Sequence, residues 1–299
     1  MRQLHLLVML MGALLVCSPA QAEQASEPDY ESPEAFLASM TLRKGLVDLP
    51  DGIATLDVPE SFRYIGPEDC RRFLEEGWGN PDGTGQIGML LPVDTDPFGD
   101  AGWAVVISYQ EDGYVSDKDA GKIDYDELLK NMQESAVETN KRRAEKGFPP
   151  VTLVGWAALP HYDSQAKKLY WAKELEFSRD EKHTLNYNIR ILGRKGVLVM
   201  NAVSAIDQLP MVRERMEQVI AFADFNAGYR YRDFDPGVDK VAAYGIAALI
   251  GGKVAAKIGL LAKLGGLLVA FKKFIVVGFL AVAGLFSKLL GRRKTTTSA

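Results

Sequence analysis

The chain has 299 residues, a net charge of −4 and apolar residues at 47% of its positions. That charge hides an asymmetry: residues 238–299 hold ten Lys/Arg against one acid, Asp239, so the body before them is strongly acidic. An acidic body excludes the basic face that nucleic-acid binding needs, and a basic, apolar end suits anionic lipid headgroups instead.

Met1–Ala22 has the layout of a secretory signal, with Arg2 at its start and Leu4–Val16 as a short apolar core. Ala20-Gln21-Ala22 is a small-x-small cleavage site; Val16 stands where a lipoprotein signal ending at Cys17 needs a small residue. Cleavage after Ala22 leaves Cys70, His161 and His183, too few for an internal disulfide or for a His/Cys metal site without carboxylates. Residues 23–45 are an acidic spacer, with a short helix expected over Pro33–Met40.

Residues 46–225 are expected to form one soluble α+β domain. Leu46–Ile65 reads as two or three short strands divided at Asp51-Gly52 and Pro59, and Glu68–Glu76 as a helix stopped by Gly77. Trp78–Gly85 is a loop; Gln86–Val93 and Trp103–Gln110 are buried strands. Asp124–Gly147 is the clearest helix: Asp124 caps it, and Tyr125, Leu128, Leu129, Met132 and Ala136 share one face. Val151–Val203 is an antiparallel meander in which Leu169, Trp171, Leu175 and Phe177, then Leu185, Tyr187, Ile189 and Ile191, alternate with polar residues. A last helix, Leu209–Phe222, is expected to be capped by Asp207, giving an antiparallel sheet covered by two main helices.

Residues 226–240, carrying Tyr229-Arg230-Tyr231-Arg232, are expected as a juxtamembrane hinge, 241–290 as a helical membrane anchor and 291–299 as a basic tail. The uncharged runs Val241–Gly252 and Phe274–Ser287 both fall short of the ~20 residues of a spanning helix, so some lysines must lie at the interface. The favoured layout is one span, Phe274–Leu290, preceded by an interfacial helix; a hairpin of Val241–Leu261 and Leu264–Leu290 is the rival. Lys272, Lys273, Phe274, Phe279, Arg292 and Arg293 are its anchor residues. Gly245, Gly251-Gly252, Gly259 and Gly265-Gly266 leave thin helix faces suited to self-association.

No G-x-S-x-G elbow, phosphate loop or H-E-x-x-H occurs, and no cofactor is expected. Asp94, Asp96 and Asp100, and Asp112, Asp117 and Asp119, stand in acidic loops whose spacing departs from a calcium loop, so turn and cap roles are expected. Asp117, Asp119 and Glu174 are the candidates for carboxylate chemistry. Glu174, Asn186, Asn188 and Arg190 are read as one wetter sheet face that lines a groove or meets solvent. Cys70 is read as structural.

The strings WGNP (Trp78–Pro81), GYVSDKDA (Gly113–Ala120), LVGWAALPHYD (Leu153–Asp163), LYWAKEL (Leu169–Leu175), LNYNIRILGRKGVL (Leu185–Leu198) and DKVAAYGIAALIGG (Asp239–Gly252) occur in order. Together they resemble the bacterial family called domain of unknown function 2167, membrane-anchored proteins of the envelope. The resemblance implies anchorage at the inner membrane with the domain facing the periplasm or outside, and brings no catalytic residues. The element order is also similar to PsbP/Mog1-like α/β/α sandwiches. The leading expectation is a non-enzymatic binding or assembly module. The alternatives are a membrane-remodelling or transport accessory acting through its tail, and a carboxylate-based hydrolase.

Overall fold

The structure, a computed structural model, describes residues 32–80, 82–145, 147–177 and 182–251. The expected signal, most of the expected acidic spacer and the expected anchor residues Lys272, Lys273, Phe274, Phe279, Arg292 and Arg293 lie outside them.

At the centre is a seven-stranded sheet, antiparallel throughout: β3 (Phe62–Ile65), β4 (Gln86–Pro92), β5 (Ala104–Gln110), β10 (Val197–Ala205), β9 (Thr184–Leu192), β8 (Lys168–Phe177) and β7 (Val151–Asp163), in that spatial order. The expected meander is its larger half, each of β7 to β10 pairing with the next. A three-stranded sheet of β1 (Gly45–Asp48), β2 (Ala54–Val58) and β11 (Ala223–Phe225) sits beside it.

One face of the large sheet packs on α4 (Leu209–Phe222). Val212, Met216 and Val219 recur at helical spacing, are fully buried, and meet Leu185, Tyr187, Ile189, Leu198 and Met200. Burying side chains of this size stabilises by roughly 1.5–3 kcal/mol each. Trp103 closes this core, its ring edge-on to Phe62 at 5.9 Å. The opposite face carries two separate apolar clusters. One gathers α1 (Pro33–Ala38) and α2 (Pro67–Arg72) through Phe36, Cys70, Phe73 and Met89. The other gathers α3 (Tyr125–Glu145) over Leu169, Trp171, Val197 and Val199. Helices on both faces are what an apolar sheet of this width requires.

Asp124 caps α3 as expected, its Oδ1 accepting from the backbone N–H of Asp126 and Glu127 at 3.0 Å each. Asp124→Ala should cost about 1 kcal/mol, read as a lower thermal midpoint. The cap expected from Asp207 is not made. Asp207 pairs with Lys182, and Gln208 instead accepts from the Ala205 N–H. The helix at 68–76 is α2 continued by a wider turn over Phe73–Gly77.

The larger correction concerns where the body ends. Val241–Gly245 is a strand, β12, lying parallel to β6 (Tyr114–Ser116), and Ile246–Gly251 is a helix, α5. Ile246 is fully buried, and Leu249 and Ile250 are buried in the α3 cluster. The apolar run that reads as the first part of an anchor is therefore, through Gly251, core of the domain: small and apolar composition suits a buried interface as well as it suits lipid. Among the described residues no helix is long and apolar enough to cross a membrane.

Candidate functional site

Two of the candidate carboxylates have structural partners: Asp119 holds that C-terminal segment, and Asp117 ties the β7–β8 hairpin. Asp119 Oδ1 accepts from the Ile246 N–H at 3.1 Å, at the first turn of α5. Asp117 Oδ2 accepts from Tyr162 Oη and Lys167 Nζ, both at 2.8 Å. Burial alone would raise the Asp117 carboxyl; the bonds from Lys167 and Tyr162 outweigh it and hold the pKa below the usual carboxylate value. Its contribution to stability is therefore present at neutral pH and lost as pH falls below the ordinary carboxylate range. Asp112 accepts from Tyr244 Oη at 2.6 Å, and Asp239 pairs with Arg194 at 2.7 Å. Tyr114 stacks on Tyr231 at 4.4 Å and on Phe234 at 3.9 Å. Residues 226–240, expected as a hinge, are thus pinned along their length.

Of the other acidic-loop residues, Asp94 pairs with Arg215, and Asp96 accepts from the Phe98 N–H at 2.9 Å. Among the described residues no group of three His, Cys, Asp or Glu side chains is placed to hold a metal. Cys70 is buried, and burial pushes its thiol up to about 12, so it stays protonated. His161 lies on β7 rather than in a turn, its ring 5.1 Å from Tyr170.

Glu174 is not with Asp117, nor with the other polar residues grouped with it. It stands seven residues along the chain from Lys167, roughly 20 Å at strand rise, and pairs with His183 Nδ1 at 2.5 Å. The β8–β9 register sets Glu174 opposite Leu185 and Trp171 opposite Asn188. Glu174 therefore shares the α4 face with Leu185 and Tyr187, while Lys173 joins Asn186, Asn188 and Arg190 on the other. One residue of register moves a strand's whole pattern to the opposite face.

That other face is the second correction. Asn188 is 1% exposed and Arg190 8%, so residues expected to be wet are buried. The pairing builds rows across the sheet: Lys173 beside Asn186, and Trp171 beside Asn188 beside Asn201. Arg190 reaches back along β9 into the second row. Its guanidinium donates to Asn188 Oδ1 at 3.3 Å, to Asn201 Oδ1 at 3.0 Å and to the Ile189 carbonyl at 3.0 Å, and lies 4.9 Å from the centre of the Trp171 ring. Asn188 in turn donates to Asn186 Oδ1 at 2.9 Å. Every acceptor around Arg190 is neutral, so among the described residues the charge has no counter-ion. Burial accordingly pulls the Arg190 pKa down to about 9. Burial, with repulsion from Arg190, also pushes the Lys173 ammonium down to about 8. The Trp171 indole N–H is buried with no acceptor. The arrangement is rich in hydrogen-bond donors and can bind an acceptor.

Residues 41–283 match a family described as "Protein of unknown function (DUF2167)". The chain belongs to that family. The match starts just before β1, so it takes in every element from β1 through β12 and α5 and leaves out α1. No curated protein matches the chain. It is similar to the solution structure of cyanobacterial PsbP (CyanoP) from Synechocystis sp. PCC 6803, at 12% identity and a TM-score of 0.33, over 63% of this chain and 94% of that one.

Two hollows of this DUF2167 domain adjoin residues named above. A groove of about 630 Å³ runs between α4 and the β7–β8 hairpin, past His161, Tyr170, Tyr187, Arg213 and Glu217. Its amine, Lys168, is already committed to the carbonyls of Ile220 and Ala223. A smaller cleft of about 270 Å³ lies between α3 and the sheet and includes Lys173 and Gly251. Sequence reading names Asn188 and Arg190, has Trp171 only as a packing residue of the meander, and misses Lys173 and Asn201. The one signal for them is that LYWAKEL puts a lysine two residues after a tryptophan, on the same side of a strand.

Proposed function

We propose that this DUF2167 protein is a non-enzymatic binding module of the bacterial envelope, tethered to the inner membrane by residues 252–290 and presenting its domain to the periplasm. The observation that carries this reading is the use made of its polar residues. Asp112 and Asp119 hold Tyr244 and Ile246 of the segment 241–251, Asp117 ties Tyr162 to Lys167, and the buried Asn188, Arg190 and Trp171, with half-buried Lys173 on the same sheet face, offer hydrogen-bond donors. A domain gripped as far as Gly251, directly before a stretch rich in apolar residues and lysine, has little freedom to swing away from whatever that stretch enters. Such a domain suits recognition at a membrane surface.

Alkaline carbonate treatment of membranes tests the tether. The full chain should stay in the pellet, and a chain ending after Gly251 should be recovered in the soluble periplasmic fraction. Recovery of the full chain in the carbonate wash sinks the tethered reading.

A further inference from the structure

We infer that the cleft between α3 and the sheet is an anion-binding site whose ligand is a small oxyanion, a phosphate or carboxylate group, taken up by Lys173, with the uncompensated charge of Arg190 on the same sheet face outside the cleft lining. The inference deepens the binding-module reading and rests on it, but not on the tether.

Three observations converge. Lys173 sits part-buried in the cleft wall, and among the described residues no carboxylate or hydrogen-bond acceptor lies within bonding distance of its ammonium. In the adjoining row the Arg190 guanidinium is nearly sealed from water and donates only to amide and carbonyl oxygens. The Trp171 N–H is buried beside it with no partner. A buried charge is costly unless paired, and two cations on one sheet face add their repulsion. Proteins keep such arrangements where an anion completes them, because the field is already assembled when it arrives.

A purely structural role covers part of this. The Asn188–Arg190–Asn201 bonds would lock three strands together with or without a ligand. That role leaves Lys173 unexplained, since an apolar residue opposite Asn186 would pack the cleft without the charge. The cleft adds Ser135, Thr139 and Arg143 from α3 and is the size of one small ligand rather than of a peptide. Gly251, the last described residue, also lines it. A phospholipid headgroup and a free oxyanion both satisfy this chemistry.

The test uses the full chain in a neutral detergent, with thermal unfolding followed at constant ionic strength. Inorganic phosphate is exchanged for chloride in one arm, and dihexanoyl-phosphatidylglycerol is added in the other. A ligand that binds only the folded state raises the midpoint by mass action. We expect a rise of a few degrees in at least one arm. Lys173→Met should weaken the midpoint-derived affinity at least about tenfold, Lys173→Arg should retain it, and Lys130→Met, on the exposed side of α3, should leave it unchanged. A rise with phosphate assigns a soluble oxyanion, and a rise with the lipid alone assigns a headgroup. No rise beyond chloride in either arm, or an equal rise in Lys173→Met, overturns the site. That result would leave the carbonate experiment untouched, so the two readings fail separately.

Discussion

Gly113→Ala should release the C-terminal segment from the body while the large sheet survives. Gly113 has φ of +104°, a region that side chains with a Cβ rarely adopt, and it stands at the mouth of the β6–β12 pair. A Cβ there would lie 2.6 Å from the Lys240 carbonyl oxygen and 3.2 Å from the Ala242 nitrogen, both backbone atoms that no rotamer change can move. The Tyr114 N–H to Lys240 carbonyl bond, 2.8 Å, is the first to be lost. Strain of this kind, together with the lost pairing, should cost about 2–4 kcal/mol.

The loss should be local in its first effect, because the backbone pairing of β12 is with β6 and not with the seven-stranded sheet, which it meets only through side chains of the α3 cluster such as Ala242. Hydrogen exchange should therefore accelerate at residues 241–251 and stay slow in β9 and β10. Gly121→Ala is the matched control, since a Cβ there meets nothing within 4 Å. Unchanged protection across Val241–Gly251 in Gly113→Ala would show that the clasp does not hold this segment. The proposed restriction of the domain's movement at the membrane would then lose its support.

How much of this was legible in the sequence follows from where its signals come from. The α3 cap at Asp124, the α4 stripe of Val212, Met216 and Val219, and the β7–β10 meander are local patterns, and the structure has all three. What failed were the inferences that needed a partner to be known. Alternation in β8 and β9 identifies two strands but not their register, because this sheet is packed on both faces and each strand has apolar residues on each side. Aligning Leu169 and Trp171 with Tyr187 and Ile189 is the natural guess; the actual pairing sets Trp171 against Asn188. That single step sends Glu174 to one face and brings Lys173 beside the Asn–Arg cluster.

The tail misled for a related reason. Val241–Gly251 has neither charge nor clear alternation, and only the presence of β6 and of the α3 cluster decides that it belongs in protein. Asp119 and Asp112, standing over a hundred residues earlier, are what receive it. Local composition cannot reveal such a receiver.

Lys173→Met should make the protein more stable at neutral pH in phosphate-free buffer, an unusual direction for a change at a part-buried position. The Lys173 pKa lies at about 8, against an ordinary value of 10.5, because burial and the Arg190 charge both disfavour its ammonium. Below pH 8 the lysine is charged folded and unfolded alike, and the folded state bears the full cost. As pH rises from about 8 toward 10.5 the folded protein sheds a proton that the unfolded chain still holds, so stability is gained across that window. Methionine removes the cost at every pH. After allowance for partial exposure, the variant should gain about 1–3 kcal/mol at pH 7, and its advantage should shrink toward zero near pH 10. The comparison must be variant against wild type, because Cys70 and the buried tyrosines, whose folded pKa values are raised, destabilise both proteins at high pH. Chemical denaturation at a series of pH values gives the difference directly. A variant less stable than wild type at pH 7, or a gap that does not change with pH, would mean that the Lys173 charge is already compensated, and the cleft would then have no unmet charge to offer an anion.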